Sequence, residues 1–369
     1  MTGAVQAAAV EPALPGRKRR PLEGEAGIAR VGGESLIIAP QWIGDAVMTE
    51  PLLRRLAARG ERLTVGALPW VAPVYRAMPQ VAEVIEFPFA HGGLQFKARR
   101  SIAKQVEGRF DTAYVLPNSL KSALLPFLAS IPKRIGYLGE ARIGLLTHRL
   151  KNPTTKPPMV AFYSALSGEA GIAADRPQLH VPDEQVNQTL AELGLARGAY
   201  AVFAPGSEYG PAKRWPAAHY AALARRLGIQ VVLLGSAKEA ELCATIAQDA
   251  ENCLNLAGKT TLAQAIRAQA ASKFIVSNDS GLMHIAAALG VPQVAIFGSS
   301  SPLHTPPLSD KAAVLWLKND ARYQPPLDCS PCFQRECALS ESAGHMRCLN
   351  DISPEAVAVA ASRATAPQT

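Results

Sequence analysis

At 369 residues the chain is long enough for about two domains of ordinary size, which excludes a small stapled scaffold or a binding peptide. Hydrophobic residues make up 48% and charged residues 18%, a balance that excludes an unfolded polyelectrolyte, and no apolar run reaches the roughly 20 residues that cross a bilayer. The net charge of +8 is local: residues 31–180 carry eighteen Lys and Arg against eleven Asp and Glu, whereas residues 181–369 carry fifteen against sixteen. The basic half therefore either meets something acidic, whether nucleic acid, an anionic membrane or a phosphorylated substrate, or keeps a charged surface for solubility.

Residues 1–34 are rich in Ala, Pro and Gly and contain the run Arg17-Lys18-Arg19-Arg20 without apolar periodicity, so a disordered basic tail is expected. The acidic, proline-started Pro21-Leu22-Glu23-Gly24-Glu25 follows where a secretory leader needs an apolar stretch. The chain is thus expected to stay in the cytoplasm, with reduced cysteines.

Ser35-Leu36-Ile37-Ile38-Ala39-Pro40 is fully apolar after its first residue, the signature of a strand buried on both faces, and Asp45 to Arg59 has helical spacing with Gly60 as a stop. A strand at 63–67, an apolar segment at 81–87, a basic helix at 94–107, a strand at 112–116 and a helix at 119–129 follow. A second series starts after Gly194: strand 200–204, helix 217–227, strand 230–234, helix 238–248, helix 262–270, strand 274–277, helix 281–289 and strand 293–297. This alternation predicts an α/β fold of two doubly wound parallel sheets, one in residues 35–185 and one in 186–369, with a cleft at the carboxyl ends of the strands as the active site.

The loops at those strand ends hold the candidate chemistry. Gln41-Trp42-Ile43-Gly44-Asp45 projects a carboxylate at a helix start, where Asp45 serves either as an N-cap or as a base held against an acceptor hydroxyl. The loop from Ala204 through Ser207, Glu208 and Lys213-Arg214-Trp215-Pro216 offers backbone donors, a hydroxyl and two cations; Lys213 is expected to meet a departing phosphate and Arg214 to be solvated. Asn278-Asp279-Ser280-Gly281-Leu282-Met283-His284 joins a strand end to a helix start, a geometry that binds phosphate through free N–H groups and the helix dipole, unless Asp279 or Ser280 merely caps and His284 merely packs. Gly298-Ser299-Ser300-Ser301-Pro302 could add donors. Two other patterns fail: Gly258-Lys259-Thr260 lacks the P-loop glycine, because Cys253 stands there, and no GxGxxG follows either first strand.

Four of the six cysteines cluster as Cys329-Ser-Pro-Cys332, Cys337 and Cys348. Such spacing suits a structural zinc or an iron–sulfur cluster, or four reduced thiols packing a long connection, and a closed four-ligand site would do no catalysis. Cys243 and Cys253 read as core residues.

Four motifs, Ala39 to Asp45, Tyr114 to Ala123, Pro205 to Pro216 and Asn278 to His284, together resemble glycosyltransferase family 9 over residues 35–317, and within it the enzymes that add the second heptose of the lipopolysaccharide inner core. The resemblance implies a GT-B fold with an acceptor lobe first and a nucleotide-sugar lobe second, and an inverting, metal-independent transfer from ADP-heptose. It further implies Asp45 as general base and Lys213 at the donor phosphates. Ser207, Glu208, Asp279, Ser280, Gly281 and His284 would bind the donor, and Asn118, Ser119 and Lys121 the acceptor. The implied partners are ADP-heptose, an anionic lipopolysaccharide-precursor acceptor and, transiently, the cytoplasmic face of the inner membrane, with no cofactor required and no nucleic acid. A nucleotide-sugar epimerase on the same fold and, more distantly, a basic zinc-containing nucleic-acid binder are the rival readings. The tail before residue 35 and the cysteine-rich segment 329–348 lie outside the shared pattern.

Overall fold

The computed structural model describes residues 32–90, 93–155, 157–169 and 175–366, so the predicted tail falls outside the described residues up to position 31. Among the described residues, twelve strands form two all-parallel sheets. The first contains β1 (Glu34–Ile38), β2 (Arg62–Ala67), β3 (Val81–Glu86), β4 (Thr112–Val115), β5 (Lys133–Tyr137) and β6 (His148–Leu150), in the order β3-β2-β1-β4-β5-β6. The second contains β7 (Tyr200–Ala204), β8 (Gln230–Leu233), β9 (Cys253–Asn255), β10 (Phe274–Asn278), β11 (Gln293–Ile296) and β12 (Ala312–Leu315), in the order β12-β11-β10-β7-β8-β9. The two orders are equivalent, and in each the winding reverses beside the first strand, between β1 and β4 and between β7 and β10. Ligands bind outside the strand ends at such a reversal.

The hydrophobic runs form strands because both faces are covered. In β1, Leu36 and Ile38 join a core with Phe87, Ile102 and Val115, while Ile37 joins another with Leu52, Val65 and Tyr114. In β7, Ala201 and Phe203 face Trp215 and Val276, and Tyr200 and Val202 face Leu190 and Ile275.

The single helix expected over 45–59 is two, Ile43–Met48 and Glu50–Ala58. Pro51 has no N–H to return to Val47, so the ladder breaks at Thr49 and restarts with the proline in the first turn, where that missing donor costs nothing. Among the described residues no helix is long and apolar enough to cross a membrane.

The lobes touch through helix starts. The Ile43–Met48 helix crosses the Gly281–Ala288 helix so closely that a Cβ on Gly44 would lie 2.8 Å from the His284 ring, and one on Gly281 would lie 2.7 Å from the Ile43 Cβ. Ile266, Ile285 and Ala288 of the second lobe share a core with Ala72 and Tyr75 of the first.

Candidate active site

Asp45 is the third residue of its helix; the N-cap is Trp42, in extended conformation with no side-chain cap bond, so the capping alternative for Asp45 falls. Its half-buried carboxylate forms part of the wall of a cavity of about 1070 Å³ at the carboxyl end of the first sheet. It makes no hydrogen bond or ion pair with a described residue, although Tyr75 and Tyr163 lie near enough for its charge to raise their phenols. Burial pushes the Asp45 carboxyl up to about 6.

Asn118, Ser119 and Lys121, expected to hold the acceptor, line the same cavity beside Arg99. Asn118 arrives there held on both sides: its amide donates to Asn152 Oδ1 at 3.2 Å, and its oxygen accepts from the Arg142 guanidinium at 3.1 Å. Arg142 is fully buried and also donates to the carbonyls of Pro117, Tyr137 and Gly139. Sequence reading missed it, because all its partners except Asn118 are main-chain oxygens that leave no sequence signal.

Across the lobe contact, Lys213 sits on the turn Pro211–Lys213, with Nζ 2.5 Å from Asp279 Oδ2 and 5.2 Å from the centre of the Tyr209 ring. Both partners are largely buried, and the ammonium has donors left after Asp279 takes one. Asn278, the last residue of β10, fixes this loop at both ends. Its Nδ2 donates to Pro205 O at 2.7 Å, while its Oδ1 accepts from Trp215 N at 3.0 Å and Tyr220 OH at 3.2 Å. Its importance was also missed; an asparagine at a strand end usually reads as a turn.

Ser280 is the N-cap of the Gly281–Ala288 helix, yet its hydroxyl makes no cap bond and is buried without a partner, as are the hydroxyls of Ser277, Ser299 and Ser300. The unpaired Ser280 hydroxyl, at a helix N-terminus with its free N–H groups, is a donor suited to an anion. His284, one turn further, is packed against Gly44; burial first, then the nearby Lys213, lowers its imidazole to about 4 against the opposing pull of Asp279, so it is neutral. Gly281, expected at the donor, has a second reason to be glycine, since a side chain there would strike Ile43.

One expectation needs correction. Arg214 is not solvated: it is half-buried, donates to Ser207 O at 3.2 Å and ties its own loop. Glu208 is exposed and paired with Lys238 at 2.5 Å, whereas its neighbour Ser207 is buried. The cysteines are free. Cys348 is pushed up to about 12 by burial and by the nearby Cys329, Cys332 and Cys337, but among the described residues no three His, Cys, Asp or Glu side chains are gathered as a metal requires. Hydrogen bonds fix that segment instead: Ser330 donates to Gly298 O, Phe333 N to Ser299 O, and its carbonyls at Phe333 and Arg335 accept from Tyr209 and Ala212 of the Lys213 loop.

Known proteins share this arrangement. Residues 99–342 match the family model for glycosyltransferase family 9 (heptosyltransferase). Lipopolysaccharide heptosyltransferase 2 of Escherichia coli strain K12 is 46% identical over 304 residues, 76% of this chain and 87% of that protein. Lipooligosaccharide heptosyltransferase 2 of Haemophilus influenzae is 41% identical over 76% of this chain and 88% of its own. The solved structure of E. coli ADP-heptose lps heptosyltransferase II superposes with a TM-score of 0.76 at 39% identity, covering 90% of this chain and 98% of that one. With its paired sheets, its cleft and these relatives, the chain belongs to glycosyltransferase family 9, the heptosyltransferases.

Proposed function

We propose that the chain transfers heptose from ADP-heptose to the first heptose of a lipopolysaccharide inner-core precursor, with inversion. The first lobe takes the acceptor and the second, from about residue 186, the donor. One observation carries the reading: a carboxylate that pairs with no described residue, raised to about 6, stands on the wall of the first-lobe cavity, and the helix that bears it abuts the helix start where Asp279 holds Lys213 and the Ser280 hydroxyl is unpaired.

Asp45 takes the proton of the acceptor hydroxyl as its oxygen bonds to the anomeric carbon. The bond from that carbon to the diphosphate oxygen breaks, and ADP leaves with the electron pair toward Lys213 and the Ser280 helix start. General-base catalysis of this kind contributes about a hundredfold to ten-thousandfold, and stabilisation of the leaving charge about as much. No residue role in this scheme needs a metal. A structural zinc or iron–sulfur cluster would need the four cysteine sulfurs to close on one point, and elemental analysis finding about one bound equivalent of zinc, or iron with sulfide, would decide for that reading over four reduced thiols.

The acceptor is an anionic glycolipid, which suits the basic half of the chain and places the enzyme at the cytoplasmic face of the inner membrane, with no nucleic acid as partner. The test is incubation with ADP-heptose and a monoheptosylated acceptor. ADP should appear only when both are present, joined to a product of inverted anomeric configuration; an altered ADP-sugar formed without acceptor would favour the epimerase instead.

A further inference from the structure

Resting on the membrane-acceptor reading above, we infer that the rim formed by the loops after β1, β2 and β3, continued by the basic face of the Phe96–Val106 helix, docks on an anionic bilayer. Sheet order puts these three loops side by side, and each exposes a large apolar side chain: Trp42 after β1, Trp70 after β2, Leu94 and Phe96 after β3, all 43–51% exposed. The indole of Trp70 donates to Gln41 O at 3.0 Å, which ties it beside Trp42. Trp42 and Leu94 also line the 1070 Å³ cavity, so the rim borders its mouth.

The helix that follows buries Ile102, Ala103 and Val106 and turns Lys97, Arg100 and Lys104 to solvent. None of these three cations makes an ion pair with a described residue, and Glu107 is the helix's one neighbouring acid in 93–109. Exposed indoles beside an unpaired cationic stripe are the two elements of an interfacial anchor, one for the headgroup boundary and one for anionic lipid. The geometry also meets a constraint of the substrate: a glycolipid whose sugar reaches Asp45 while its acyl chains stay in the bilayer needs the membrane at the cavity mouth.

The full chain should bind phosphatidylglycerol vesicles, fail to bind phosphatidylcholine vesicles, and come off in 0.5 M salt, where the Debye length is roughly 4 Å against about 30 Å at 0.01 M. On binding, tryptophan emission should shift to the blue, since Trp215 is already buried while Trp42 and Trp70 are exposed. Replacing Lys97, Arg100 and Lys104 together by Gln should weaken phosphatidylglycerol binding on the order of a hundredfold, and Phe96→Ser about tenfold. Both variants should keep turnover on a deacylated, water-soluble acceptor. No vesicle binding by the unaltered chain would sink the membrane reading itself. Vesicle binding that both variants retain would leave that reading standing and overturn the assignment of this face. Loss of turnover on the soluble acceptor would overturn it too, by placing these side chains in the substrate site.

Discussion

On the proposed mechanism Asp45 is available as the base because no described residue pairs with its carboxylate. Burial without a partner holds the carboxyl near 6, so activity should fall as pH drops through about 6, as the proton acceptor fills. His284, packed against the same helix start, stays neutral down to about 4, so its own protonation falls below that limb. Asp45→Asn should remove the limb and lower kcat by about a hundredfold or more, with ADP affinity unchanged in calorimetry; a variant keeping its activity would refute the role. The same substitution should stabilise the fold. The native carboxyl binds its proton more tightly than the unfolded chain does, so ionising it costs folding free energy as pH rises from about 4 past 6, by at most about 3 kcal/mol. Melting temperatures of the two proteins should therefore agree at pH 4 and diverge at pH 8, with the Asn variant higher. Lys213→Ala is the complementary case: it should depress kcat by about a hundredfold to a thousandfold and leave acceptor binding intact.

At the scale of elements, the loops do their work through contacts that only glycine permits or one asparagine supplies. A methyl at position 44 would lie 2.8 Å from a ring carbon of His284, so Gly44→Ala should push the two helix starts apart and reduce kcat without a large change in melting temperature. Combining it with His284→Gly tests the contact: the lobe approach should recover, seen as restored protection of the Ile43–Met48 amides in hydrogen exchange, even though activity stays low. Asn278→Ala would free both ends of the Lys213 loop, raising the donor KM more than it lowers kcat if the residue acts by positioning.

These elements were legible to different degrees for physical reasons. The central strands announce themselves as apolar runs because both of their faces are covered, and Asp45, Lys213 and Asp279 stand out because strand-end loops carry few other charges. The edge strands β6 and β9 are three residues long and mixed in polarity, so they carry no period to read. The roles of Arg142, Asn278 and Gly281 depend on carbonyls and side chains that only the fold brings near, and the break at Pro51 was readable but lay inside an otherwise helical pattern.

Across the whole molecule, the contact between lobes is part of the core. Ile285, fully buried, packs in one cluster with Ile266 and with Ala72 and Tyr75 of the other lobe. The connecting segment is stitched to both: Leu179 N donates to Ala288 O at 2.9 Å and His180 N to Ala77 O at 2.8 Å, while Gln178 N donates to the buried Glu50 carboxylate at 3.0 Å. Lobes joined by a shared apolar cluster should unfold together, so calorimetry is expected to show one transition whose calorimetric and van't Hoff enthalpies agree. Ile285→Ala removes the centre of that cluster at a cost of about 2–5 kcal/mol. Because the cavity it leaves faces both lobes, the transition should broaden or split. ADP, bound in the second lobe alone under the reading above, should then slow hydrogen exchange in the Ala72–Arg76 helix of the first lobe in the unaltered protein and lose that reach in the Ile285→Ala variant. Two transitions in the unaltered protein, or ADP protection confined to the second lobe, would mean that the shared cluster does not couple the halves.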